Sequence, residues 1–127
     1  MKVYTGTDIV EVDRIKKAIE TSGNAFLDRV FTKQEQEYCN TKKAHRYESY
    51  AARFAVKEAV SKAFGTGIGA DISLTDVEVI KSERGKPLLK LHGRALEMYE
   101  TLNIKTADIS ISHTTENAIA YVVMISE

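Results

Sequence analysis

The stretch Arg53-Phe54-Ala55-Val56-Lys57-Glu58-Ala59-Val60-Ser61-Lys62-Ala63-Phe64-Gly65-Thr66-Gly67 decides how this chain is read. On a wheel of about 3.6 residues per turn, Ala51, Ala55, Ala59 and Ala63 fall in one row, and Ala52, Val56, Val60 and Phe64 in the next. Those rows are expected to face the protein, and the alanines let another backbone come close. Arg53, Lys57 and Ser61 form a third row, with Glu58 and Lys62 in a fourth. Gly65 ends the helix, because glycine reaches the positive φ of a left-handed cap without steric cost. The reading predicts a tightly packed helix with a rigid polar strip carrying Arg53, Lys57, Lys62, Ser61 and Glu58. Cations, a hydroxyl and an acid together suit a polyanion accompanied by a divalent metal.

The bulk composition narrows the field. The 127 residues suffice for one domain with a modest core and are too few for two, so 1–127 is read as a single domain. With 43% hydrophobic and 28% charged residues, the chain has the balance of a soluble globular protein. Its formal net charge of +0 argues against a general nucleic-acid binder held by phosphate attraction, so any basic surface is local. Cys39 is the single cysteine, which excludes an internal disulfide and fits a reducing compartment. Asp8, Glu11 and Asp13 interrupt the apolar core an export signal needs, and the run from Ala118 to Ile125 is far short of a membrane span. A cytoplasmic protein without membrane association is expected.

Around the central helix, residues 2–10 read as a strand, with Val3, Thr5, Thr7 and Ile9 on one face and Tyr4, Gly6, Asp8 and Val10 on the other. Asp13 is a candidate cap for a helix over 14–21, which Ser22-Gly23-Asn24 breaks. Thr32 with Glu35 forms a capping box for a helix from Lys33 to about Asn40. The long helix covers 46–64. Residues 72–81 read as a strand, Ser82 to Gly85 as a turn and 87–92 as the returning strand of a hairpin. A short helix over 94–102 and strands over 107–112 and 118–125 complete the pattern. Without strict alternation of strand and helix, the expected class is α+β, a mostly antiparallel sheet packed with a long central helix.

Each motif has a plain structural reading beside its functional one. Glu58 and Lys62, four apart, can be no more than an exposed helix ion pair. Asp8, near a strand end, can simply cap the next element. Taken together, two acids from separate elements beside a lysine meet the demand of magnesium, which takes one or two protein carboxylates and fills its shell with phosphate and water. Gly65-Thr66-Gly67-Ile68-Gly69 follows a helix instead of opening one, so it is not a dinucleotide loop; it stops the helix and lets a ligand approach the backbone. His113, at a strand end, is a turn residue or, with Thr114, a phosphate contact. Arg14, Lys16 and Lys17 make either a solvated face or a small basic dock for an acidic partner.

Gly6-Thr7-Asp8-Ile9-Val10 leading to Arg14-Ile15, then Arg53 to Gly67, Gly85-Lys86-Pro87, and Ile109-Ser110-Ile111-Ser112-His113-Thr114 resemble, in that order, the holo-acyl-carrier-protein synthases. These are the short group of 4′-phosphopantetheinyl transferases. The resemblance implies transfer of the 4′-phosphopantetheine arm of coenzyme A to a serine of apo-acyl carrier protein, releasing 3′,5′-ADP, a step in fatty-acid and lipid biosynthesis. It implies Asp8 and Glu58 as ligands of magnesium, with manganese the alternative ion, and Lys62 at the pyrophosphate and the reaction centre. Arg53, Ser61, His113 and Thr114 match positions at coenzyme A phosphates, while Gly65 and the Gly85-Lys86-Pro87 turn border its nucleotide. Arg14, with Lys17, is implied to meet the acidic carrier, although Lys16, Lys17 and Glu20 depart from more arginine-rich versions of that surface. A homotrimer with active sites between subunits is implied as well. Two competing readings are a coenzyme A or nucleotide-binding module without catalysis, and a structural oligomer built on the alanine-rich helix.

Overall fold

The chain begins with a strand, β1 (Val3–Glu11), which runs without a loop into helix α1 (Val12–Ser22). The computed structural model describes residues 1–66 and 71–127. The cap expected at Asp13 does not form. Glu11 occupies that position without a side-chain bond, and the Val12 N–H is taken instead by the Glu116 carbonyl at 2.8 Å. Asp13 lies inside the first turn and pairs with Lys17 at 3.0 Å. Gly23, at φ 53°, ends α1 as expected, but a helix that the sequence did not announce, α2 (Asn24–Val30), follows at once. The capping box of Thr32 and Glu35 opens α3 (Lys33–Asn40) as predicted.

The long helix α4 (Arg46–Phe64) has the expected bounds, and Gly65 caps it at φ 76°. The strand expected from Ile72 starts only at Val77, because Ser73 and Asp76 cap each other across a single tight turn, Leu74–Asp76. Strands β2 (Val77–Lys81) and β3 (Pro87–Leu91) form the antiparallel hairpin, with Val77 opposite Leu91. Helix α5 (Gly93–Thr101) leads to β4 (Ile104–His113) and β5 (Asn117–Ser126). The main sheet is antiparallel in the order β1-β5-β4, and the hairpin is a separate sheet of two strands. Among the described residues no helix is long and apolar enough to cross a membrane.

The core lies between α4 and the main sheet. Ala118, Ala120, Val122 and Met124 of β5 point inward with Val10 of β1 and meet the alanine rows of α4. Close approach is achieved at Gly6, where an added Cβ would stand 1.9 Å from the Ala59 carbonyl oxygen. Only glycine fits there, so the alanine row does receive another backbone. On the opposite face of the sheet, Val3, Ile9, Ile119 and Tyr121 stay open at 51%, 65%, 44% and 47% exposure. Ile9 stands directly across from Ile119 in the β1–β5 register.

One part of the helix reading fails. The row of Arg53, Lys57 and Ser61 does not form an outward polar strip: all three are buried, and Lys57 fully, because α3 and β2 cover its side of α4. The Lys57 ammonium donates to Glu35 Oε1 at 2.8 Å, to the Leu74 carbonyl at 3.1 Å and to the Val77 carbonyl. Glu35, also buried, accepts from the Thr32 and Val79 N–H groups as well. Burial pulls the Lys57 pKa below the ordinary lysine value and Glu35 pulls it back.

Candidate active site

Two polar clusters lie on α4. The first joins α4 to β1. Asp8 shares the inward face of β1 with Gly6 and Val10, and it sits opposite the small Ala120 of β5. Lys62 reaches across from the end of α4 and donates to Asp8 Oδ1 and to the Thr7 carbonyl, each at 3.0 Å. The plain helix pair of Glu58 with Lys62 is thus replaced by a bridge between elements. Glu58, half-buried, has no ion-pair or hydrogen-bond partner among the described residues. Burial raises its pKa and the Asp8 charge raises it further, while Lys62 and Arg14 of α1 pull it down. Asp8, Glu58, Lys62 and Arg14, four residues from three elements, therefore share one electrostatic neighbourhood. Among the described residues no group of three or more His, Cys, Asp or Glu side chains converges as a ready-made metal cage.

The second cluster is a cavity of about 380 Å³ between α3, α4, the hairpin turn and the end of β4. Arg53, Gly85, Pro87 and His113, all expected, line it. So do Tyr38, Lys42, His45, Ser49 and Lys81, which sequence reasoning missed. These lie at element ends and in the segment between α3 and α4, where no periodicity or spacing marks them. Arg53 donates to Ser49 Oγ at 3.1 Å, and its buried Nε has no partner. Glu48 stands behind the two histidines, with His45 Nδ1 at 3.3 Å and His113 Nδ1 at 3.9 Å. The wall is cationic and contains an unsatisfied donor, which suits a phosphate-bearing ligand.

The remaining expected residues are engaged with the protein itself. The Ser61 hydroxyl donates to the Thr66 carbonyl at 2.6 Å and ties down the end of α4. Thr114 Oγ1 accepts from the Glu116 and Asn117 N–H groups at 3.2 and 3.1 Å, fixing the β4–β5 turn. Lys86 pairs with Asp108 at 2.8 Å on the surface beside the cavity. Gly65 is exposed at the cap, and Lys17 is held by Asp13. Gly67 and Gly69, expected to let a ligand approach the backbone, lie outside the described residues.

A cationic cavity and an acid–lysine node joining β1 to α4, inside an α+β fold with an antiparallel sheet, suit a protein that acts on a phosphate-bearing ligand. A family model of the 4′-phosphopantetheinyl transferase superfamily matches residues 4–122. The chain is 52% identical over 124 residues to a holo-[acyl-carrier-protein] synthase of Ruminiclostridium cellulolyticum, covering 98% of this chain and 92% of that protein. The holo-(acyl-carrier-protein) synthase of Bacillus anthracis, in a crystal structure in complex with CoA (3′,5′-ADP), superposes with TM-score 0.80 at 38% identity, covering 98% of this chain and 96% of the other. The Helicobacter pylori enzyme, in complex with coenzyme A, superposes with TM-score 0.83 at 37% identity, covering 95% of this chain and 99% of the other. The chain belongs to the holo-[acyl-carrier-protein] synthase family of phosphopantetheinyl transferases. Its activity is transfer of phosphopantetheine from coenzyme A to apo-acyl carrier protein.

Proposed function

We propose that Asp8 and Glu58 hold a magnesium ion, with manganese as the alternative, at a site where the carrier's serine displaces 3′,5′-ADP from coenzyme A. The observation that carries this reading is geometric: Lys62 of α4 reaches Asp8 of β1 at 3.0 Å beside the half-buried Glu58, unpartnered among the described residues, whose ionised form is burdened first by burial and then by the Asp8 charge. A hard divalent cation relieves that burden and needs only one or two protein carboxylates when phosphate and water complete its shell. When bound, it neutralises charge on the pyrophosphate. Lys62, anchored by Asp8 and Thr7, directs its charge at the departing oxygens. The bond from serine Oγ to phosphorus forms as the bond from phosphorus to the 3′,5′-ADP oxygen breaks, in line. The serine proton passes to Glu58 or to a water that Glu58 orients.

The cavity receives the nucleotide end. Arg53 and His113 contact its phosphates, with Gly65, Gly85, Lys86 and Pro87 along the border. Ser61 and Thr114 act through the segments their hydroxyls tie down. Arg14 and Lys17 on α1 face the acidic carrier. The two clusters do not share a face of α4: Glu58 comes five positions after Arg53, a rotation of about 140°. A ligand spanning both is best served by two copies of the chain, one offering its cavity and the other its acids. The open apolar face bearing Val3, Ile9, Ile119 and Tyr121 supports such assembly, in this reading a homotrimer with sites between subunits.

The test is incubation with coenzyme A and an apo carrier, with and without magnesium, followed by mass spectrometry of the carrier and sedimentation of the enzyme. One phosphopantetheine gained, only with the ion and on a trimer, is the expected result. Full transfer in a chelator would remove the metal role, and an active monomer would remove the shared site.

A further inference from the structure

Tyr38 is the residue around which the cavity's cations gather. Its ring lies 4.4 Å from the Arg53 guanidinium carbon, 4.9 Å from Lys42 Nζ and 5.3 Å from Lys81 Nζ, measured to the centroid. The three come from different places: α4, the segment after α3, and the last residue of β2. Among the described residues none of them is ion-paired with a carboxylate. Like charges so arranged repel one another, and without a binding partner they would swing apart into water. A π face attracts each of them without neutralising any, so it holds cations together and leaves their charge available. Arg53 is only 7% exposed and its Nε is unpartnered, which marks the wall as built for a ligand rather than merely packed. Burial pushes the Tyr38 phenol up, but Lys42, Lys81 and Arg53 pull it down further, and the balance lies below the ordinary tyrosine value. The ring also borders an adjoining cavity of about 310 Å³ that shares Arg53 and Lys81 and adds Lys90, so it stands between two cationic recesses.

We propose that Tyr38 is a positioning residue whose ring preorganises Lys42, Arg53 and Lys81 as one wall for the phosphate-bearing end of the nucleotide; this rests on the reading of the cavity as the coenzyme A subsite. Tyr38 touches no reacting atom and acts through the cations it holds.

The experiment compares wild type, Tyr38→Phe, Tyr38→Leu, Lys81→Met and the Tyr38→Leu/Lys81→Met double variant. Calorimetry gives the affinity for 3′,5′-ADP, and steady-state transfer gives KM for coenzyme A separately from kcat. Tyr38→Leu is expected to weaken 3′,5′-ADP and raise KM about tenfold, with kcat within about twofold of wild type. Tyr38→Phe, which keeps the π face and loses only the phenol, is expected to retain most of the affinity that Tyr38→Leu loses. Lys81→Met weakens binding in the wild-type background and adds little once the ring is gone, because the two share one interaction. Equal damage from Phe and Leu, or full additivity of the double variant, would overturn the role. If Tyr38→Leu melts below the assay temperature, Tyr38→Met replaces it with the same expectations. Wild type that fails to bind 3′,5′-ADP overturns the subsite reading and this role with it. Wild-type binding that the leucine variant retains in full overturns the role of Tyr38 alone.

Discussion

Lys57 and Lys62 sit on the same helix, and their surroundings could hardly differ more. Lys57 is fully buried, and its three protons have three acceptors in Glu35, Leu74 and Val77. Glu35 in turn serves Thr32 and Val79. All three ammonium protons and both carboxylate oxygens of that buried pair are engaged, so it fastens α3, α4 and β2 together and offers no open face to a ligand. Around Lys62 the set is unfinished. Asp8 has the lysine, and Glu58 beside it has a raised pKa without a partner of its own. Saturation marks Lys57 as a structural charge, and incompleteness is what makes the Lys62 cluster a candidate for function, although both lysines occupy polar positions of one amphipathic helix.

This contrast makes unequal demands on variants. Glu58→Gln removes charge where the set is open, so transfer should fall by about a hundredfold or more while the melting temperature holds. Near-normal turnover in a folded Glu58→Gln protein would return Glu58 to a surface role. Lys57→Met works the other way. It strands Glu35 in the interior and should cost about 3–5 kcal/mol in urea unfolding, much of it recovered when Glu35→Leu is added. A mild loss would mean that water reaches the pair.

Gly6→Ala tests how the open site is placed. The new methyl meets the Ala59 carbonyl, so β1 must move away from α4, costing about 1–3 kcal/mol and carrying Asp8 away from Lys62. Thermal melting and transfer should therefore decline together; a variant that loses stability alone would show that Asp8 is placed by something else. The smallest effect concerns the margin of the saturated region, where Thr32 donates to Glu78 at 2.6 Å and His92 lies 2.8 Å from it. Burial raises the Glu78 pKa, but these two bonds outweigh it and the balance is lowered. A lowered carboxylate stabilises the fold above its unfolded pKa, about 4.3, and that stability is lost as pH falls through the folded value. Glu78→Gln should flatten the acid limb of the stability profile, as read by denaturation at successive pH values. An unchanged limb would assign acid sensitivity to other carboxylates.

Much of this molecule is legible from local pattern. The bounds of α4, the cap at Gly65, the box at Thr32 and Glu35, and the hairpin all follow from short-range rules of sterics and hydrogen bonding, which act between residues a few positions apart. Residue type also singles out Asp8, Glu58 and Lys62 as candidates, and the fold gathers them into one electrostatic neighbourhood. Helix α2 escaped notice since seven residues carry too little periodicity, and the Asp13 cap failed because Glu116, distant in sequence, supplies the competing acceptor.

Chain order and residue type were enough to specify which segments curl, which extend and which charged groups are worth watching. Folding in three dimensions alone assigned those charges their fates. Burial depends on what packs over a helix face, so a wheel placed Lys57 outside while α3 and β2 enclosed it. Tyr38 likewise came to face Arg53 and Lys81 only when α3, α4 and β2 met, since electrostatic and π contacts act through space without regard to sequence separation.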